Sequence, residues 1–279
     1  MSFKAALVQM RSGVDRAQNL ADASSMIREA VGQGAQYVLT PEMTNIFEAD
    51  RERLKAVACF EKDDQTVGGF AALAKELGIW LHVGSAALRV SADKLVNRSL
   101  LFGPGGKIVA RYDKIHLFDV DMPGGEQIRE SSSFAPGEEA VVAVLPWGQL
   151  GLTICYDMRF PVLYNVLANS GALIMAVPSA FTVPTGRAHW HVLLRSRAIE
   201  TGSFVLAAAQ GGVHECGRET YGHSIAINPW GEIMGELGTE PGVLVFDVDV
   251  GLVSRDRGRI PALKNARAFT LKPPQETIN

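Results

Sequence analysis

Apolar and polar positions follow one another along this chain in two distinct rhythms. Lys4–Met10 is a short apolar run, which predicts a buried strand. Leu20, Ala23, Met26, Ile27 and Ala30 recur at helical spacing across Asn19–Gly32, with Gly32 and Gly34 as stop signals. Tyr37-Val38-Leu39 predicts a second strand, cut off by Pro41, and Gly68–Gly78 a second helix before a strand at Ile79–Gly84. This strand–helix alternation predicts an α/β sheet with crossover helices.

Further on, the rhythm changes. Arg98–Phe102 and Lys107–Arg111 flank Gly103-Pro104-Gly105-Gly106, which predicts a hairpin. Val141–Leu145 and Gly151–Ile154 flank Pro146-Trp147-Gly148-Gln149 in the same way, and Ser224–Asn228 and Glu232–Met234 flank Pro229-Trp230-Gly231. Helices are expected at Pro161–Ser170 and Ala188–Thr201, with strands at Ala172–Val177, Phe204–Ala209 and Val243–Val248. Hairpins set among helices imply mixed rather than purely parallel pairing. No low-complexity linker interrupts the chain, so residues 1–279 read as one domain with a tail from about 251.

Composition narrows the function classes. Hydrophobic residues make up 47% and charged residues 20%, enough apolar material for a sizeable core. A net charge of −3 argues against a nucleic-acid partner. Met1-Ser2-Phe3-Lys4-Ala5 has no secretory pattern, and no apolar run reaches the ~18 residues of a membrane span. The three cysteines, Cys59, Cys155 and Cys216, form neither a disulfide framework nor a Cys-pair zinc site. A cytoplasmic protein with no membrane partner is the expectation.

Three predicted strands each deliver a reactive side chain at their ends. Pro41 keeps Thr40 extended, so Glu42 projects from the edge of the strand before it. Lys114 follows Lys107–Arg111, and Cys155 closes an apolar strand before Pro161, a residue suited to opening a helix. Singly, each has a plain structural reading: a solvated acid, a solvated lysine, a buried thiol. Together they supply a nucleophile, an acid/base and a fixed cation, the parts needed for acyl transfer from an amide.

In order along the chain, Thr40-Pro41-Glu42, Tyr112-Asp113-Lys114-Ile115-His116-Leu117-Phe118 and Ile154-Cys155-Tyr156-Asp157-Met158-Arg159-Phe160-Pro161 resemble the three motifs of the nitrilase, or carbon–nitrogen hydrolase, superfamily. The similarity runs from Ala5 to Val248. It implies a four-layer αββα sandwich, pairing of subunits into a homodimer, and no cofactor. It implies catalytic roles for Glu42, Lys114 and Cys155, a further glutamate at Glu130, and the Tyr156 backbone N–H as an oxyanion donor. Within the superfamily the chain is similar to the Nit branch, through Pro178-Ser179-Ala180-Phe181, Ala188-His189-Trp190 and Tyr221-Gly222-His223-Ser224. Arg187 and Val162 depart from that branch, where proline and glutamate are common. The implied reaction is hydrolysis of a small carboxamide through a cysteine thioester, on deaminated glutathione or a dicarboxylic α-keto monoamide. Omega-amidase, N-carbamoyl-amino-acid hydrolase and nitrilase chemistry are the enzyme alternatives, and a catalytically silent scaffold is the non-enzyme one.

Other signals carry less. Lys114 beside Cys155 is expected to lower the thiol pKa from about 8.5 and favour thiolate. His116 is close enough in sequence to Lys114 to suggest a papain-like base, although a structural role fits as well. His189 and His191 face different directions on a helix and no His-Glu-x-x-His pattern occurs, so no metal is expected. Pro123-Gly124-Gly125 predicts a loop near the pocket mouth, and Arg255, Arg257 and Arg259 a solvated face or a subunit contact. Sequence leaves the residues that bind the substrate's carboxylate unknown.

Overall fold

A computed structural model describes residues 1–122, 125 and 127–273. Pro123 and Gly124 of the expected pocket-mouth loop lie outside the described residues.

Strand Ser2–Gln9 sits inside a six-stranded sheet, pairing antiparallel with Gly242–Asp249 and parallel with Tyr37–Leu39. Tyr37–Leu39 pairs parallel with Trp80–Arg89, which runs antiparallel to Leu95–Phe102, itself antiparallel to Ile108–Asp113. A second six-stranded sheet repeats this pattern with Val141–Leu145, Gly148–Leu152, Ala172–Ala176, Phe204–Ala207, Ile225–Ile227 and Ile233–Glu236. Two parallel pairs at its centre are again bordered by antiparallel ones. All three expected hairpins form.

The period of two within strands assigns side chains to layers. Phe3, Ala5, Leu7, Tyr37 and Leu39 share one buried cluster with Leu150, Leu152, Ile174 and Val205 of the second sheet. Their neighbours Ala6, Val8 and Val38 pack instead with Ala23, Ile27, Phe70 and Leu73 of helices Arg16–Gly32 and Gln65–Leu77. Helices Pro161–Asn169 and Val183–Thr201 cover the outer face of the second sheet. Phe3 stacks on Trp147 with centroids 4.1 Å apart, pinning the two sheets together. The layers therefore run helix, sheet, sheet, helix, the expected four-layer αββα sandwich.

Element ends differ from expectation for identifiable reasons. The first helix starts at Arg16 because Asp15 caps it, accepting from Ala17 N at 2.8 Å and Gln18 N at 3.1 Å. The long helix begins at Val183, with Pro184 tolerated in its first turn. The segment from 251 opens with helix Gly251–Arg259. Arg257 is not merely solvated, since it donates to Ala172 O and Ser203 Oγ, both at 2.8 Å, and holds that helix against the second sheet.

Candidate active site

Glu42 owes its place to a close approach of two backbones. Thr40 N donates to His82 O at 3.0 Å, continuing the parallel pairing past the end of the strand. A Cβ on Gly84 would stand 2.0 Å from Thr40 O and 2.6 Å from Pro41 O, so only glycine lets the Thr40–Glu42 turn lie there. Met43 then takes a left-handed φ of 56°, turning the chain away and leaving the Glu42 carboxylate facing inward.

Buried donors hold that carboxylate from three directions. Oε1 accepts from Lys114 Nζ at 2.8 Å and from Asn97 Nδ2 at 2.8 Å, while Oε2 accepts from Ala180 N at 2.8 Å. Lys114 Nζ also reaches Glu130 Oε2 at 2.9 Å and Oε1 at 3.2 Å. Glu130 is fixed in turn by Phe118 N at 2.6 Å and Asn97 Nδ2 at 3.2 Å. One ammonium thus lies between two carboxylates, and one carboxamide braces both. Burial alone would drive the Lys114 proton off, but Glu130 and Glu42 together outweigh it and raise the pKa well above the usual lysine value. The two carboxylates thus favour the charged form of Lys114.

Cys155 comes from the second sheet. Strand Gly148–Leu152 delivers the chain, and Cys155 opens a 3-10 turn with a left-handed φ of 48°. Its backbone N–H donates to Pro178 O at 2.9 Å. Asp157, fully buried, anchors this turn: Oδ2 accepts from Ile154 N at 2.8 Å and Tyr112 Oη at 2.6 Å, and Oδ1 from His116 N at 3.1 Å. His116 Nδ1 lies 2.7 Å from Asp157 Oδ1, and its ring stacks on Phe160 at 3.6 Å. Those contacts make His116 part of the clamp between the lysine and cysteine segments. The papain-like reading of it is set aside on this geometry.

The thiol itself departs from expectation. Burial pushes the Cys155 pKa well up, the Glu42 carboxylate adds to the rise, and Lys114 and the Ala180 N–H offset it only in part. The net direction favours the neutral thiol over the thiolate expected from a neighbouring lysine.

Glu42, Lys114, Glu130, Cys155 and Tyr156 all line one cleft of about 930 Å³ including its open mouth. Phe47, Phe118, Phe134 and Phe181 supply apolar walls, and Arg51, Arg129 and Arg218 bring positive charge. Arg129 is tied to Asp121 at 2.6 Å, whereas Arg51 and Arg218 form no salt bridge among the described residues. Sequence reasoning missed Asn97, Asp157 and the Ala180 N–H. Asp157 could have been found inside the Cys-Tyr-Asp motif, and Asn97 as the one carboxamide in strand Leu95–Phe102. Nothing local marks Ala180.

A family model described as carbon-nitrogen hydrolase matches residues 4–257. A deaminated glutathione amidase from Yersinia enterocolitica is 40% identical over 94% of this chain and 92% of its own length. An omega-amidase from Homo sapiens is 35% identical over 96% of both. The C. elegans NitFhit crystal structure superposes with a TM-score of 0.90 at 33% identity, covering 95% of this chain and 65% of that longer one. With the family model spanning most of its length and amidases among its relatives, this chain belongs to the carbon–nitrogen hydrolase family and is a hydrolase acting on amides.

Proposed function

We propose that Cys155, Glu42 and Lys114 hydrolyse a carboxylate-bearing amide through a thioester. The observation that carries this reading is the contact of Lys114 Nζ with Glu42 Oε1 at 2.8 Å beside the buried thiol of Cys155, all on one cleft. Glu42 takes the thiol proton as the sulfur attacks the carboxamide carbon, which matches a resting thiol rather than a preformed thiolate. Lys114 and the Tyr156 N–H donate to the oxyanion; the N–H groups of a first helical turn have no acceptor within that turn. Glu42 then passes the proton to the departing nitrogen, and the thioester forms. Water, deprotonated by Glu42, attacks the thioester and frees the thiol and a carboxylic acid. Glu130 positions Lys114, a role supported by its two contacts with Nζ.

Arg51 and Arg218 favour a substrate with a carboxylate distant from the scissile amide. Relatives named deaminated glutathione amidase and omega-amidase point the same way. Deaminated glutathione releases a dipeptide amine, whereas a keto-acid monoamide releases ammonia. Assaying both, beside an N-carbamoyl amino acid and a nitrile, tests the proposal. Turnover of the first two classes is expected; hydrolysis confined to the latter two would contradict it.

We also propose a homodimer. Val162 and Val166 on helix Pro161–Asn169, and Val192 and Ile199 on Val183–Thr201, leave an apolar stripe exposed on neighbouring helices. Sedimentation of Val166→Glu and Val192→Glu together should give a monomer, and an unchanged dimer would contradict this interface. No helix among the described residues is long and apolar enough to cross a membrane.

A further inference from the structure

Away from the cleft, three side chains with metal-ligand chemistry converge from separate parts of the chain. His191 lies on helix Val183–Thr201, His223 precedes strand Ile225–Ile227, and Glu236 ends strand Ile233–Glu236. Glu236 Oε1 is 2.8 Å from His191 Nε2 and 2.7 Å from His223 Nδ1. All three ligand atoms fall within 4.8 Å of one another, and none of these residues lines the cleft. We propose that they form a structural site for a divalent cation of the zinc type.

The donor set selects the ion. Two imidazoles with one carboxylate suit zinc, whereas calcium and magnesium prefer all-oxygen shells. A tetrahedral zinc with bonds near 2.1 Å holds its ligands roughly 3.4 Å apart, so the Glu236 oxygen needs to part from each imidazole by only about 0.6–0.7 Å to admit it. Water would complete the tetrahedron. The side chains keep 33%, 26% and 27% exposure respectively, which gives the ion an entry path.

His223 is also held ready. Its φ of 58° is left-handed, a costly backbone for a non-glycine residue that persists only where the surroundings fix it. Trp190 Nε1 donates to His223 O at 2.9 Å, His223 N donates to Gly238 O at 2.9 Å, and the imidazole stacks on Tyr221 at 4.3 Å. Tyr221 packs so closely on Gly186 that a Cβ there would lie 2.2 Å from the ring. Thr182 and Thr185, on the same stretch of chain as Gly186, line the cleft, as does Arg218. A bound cation would therefore tie the long helix to the segment carrying Arg218 and Tyr221, bracing one wall of the cleft without touching the reacting groups.

The test uses the full chain carrying Cys155→Ala, stripped with a chelator, so that the cleft thiol cannot compete for metal. Zinc chloride is titrated in by calorimetry, and cobalt(II) is followed by its visible spectrum. Binding of one equivalent, with four-coordinate cobalt bands and a raised unfolding midpoint, is expected. Both signals should vanish in His191→Ala and in Glu236→Gln, each placed on a partly exposed surface where the fold tolerates change. Absence of saturable zinc binding, or binding unchanged in both variants, would overturn the site and leave a purely hydrogen-bonded His–Glu–His cluster.

Discussion

Glu42 and Asp157 are both buried carboxylates, yet they are satisfied in different ways. Glu42 accepts from an ammonium, a carboxamide and a backbone N–H, and it faces an open cleft beside a thiol. Asp157 is sealed from solvent and accepts from a phenol, two backbone N–H groups and an imidazole. Tyr112 is itself kept a phenol, by burial first and by the Asp157 charge next. One carboxylate thus sits among groups that can exchange a proton with substrate. The other joins the lysine segment to the cysteine segment and exchanges with nothing. A buried charge serves chemistry or architecture according to what it faces, not how deeply it lies.

Lys114→Met should strike hardest, because it removes an oxyanion donor and strands two carboxylates at once. Steady-state kinetics should show at least ~10²-fold loss of kcat. Chemical denaturation should show a stability loss on the order of 3–5 kcal/mol. Glu42→Gln keeps the shape and most hydrogen bonds of the side chain, so it should fold normally while losing at least ~10²-fold in rate. Asp157→Asn should do the opposite, weakening the fold by about 1–3 kcal/mol while lowering kcat less than Glu42→Gln does. If Asp157→Asn instead spared stability and abolished turnover, the division between the two carboxylates would fail.

The smallest effect concerns pH. The folded chain binds the Cys155 proton more tightly than the unfolded chain does, so the stability this contributes is complete below the ordinary thiol range. It is lost as pH climbs toward the raised folded value. Alkylation of Cys155 by iodoacetamide should therefore reach its half-maximal rate above the pH typical of free cysteine. Removing the Glu42 charge in Glu42→Gln should shift that profile to lower pH. A shift to higher pH would mean that Glu42 does not face the thiol.

Much of this molecule is legible in its residues because the relevant signals are local. Gly103-Pro104-Gly105-Gly106 announces a hairpin, Pro161 opens a helix, and the segments carrying Glu42, Lys114 and Cys155 are contiguous motifs. What escaped depends on contacts between distant segments. Division of the strands into two sheets follows from which face each one buries, and periodicity within a strand does not say against what. Asn97 earns its role only because Glu42 and Glu130 meet on it across 55 and 33 residues of chain. The thiol's acidity is not legible from the nearby lysine alone, because burial and the Glu42 carboxylate oppose it. In sequence the neighbour of His191 is His189, whereas its partners in space are His223 and Glu236.

The central claim is that carbon–nitrogen bond cleavage passes through an acyl group on the sulfur of residue 155. Intact-protein and peptide mass spectrometry on chain quenched during turnover of a keto-acid monoamide tests this most directly. The account predicts a mass increment matching the acyl portion, confined to the peptide holding Cys155 and absent in Cys155→Ala, which should also be inactive. An unmodified Cys155 during turnover, together with undiminished hydrolysis by Cys155→Ala, would contradict it.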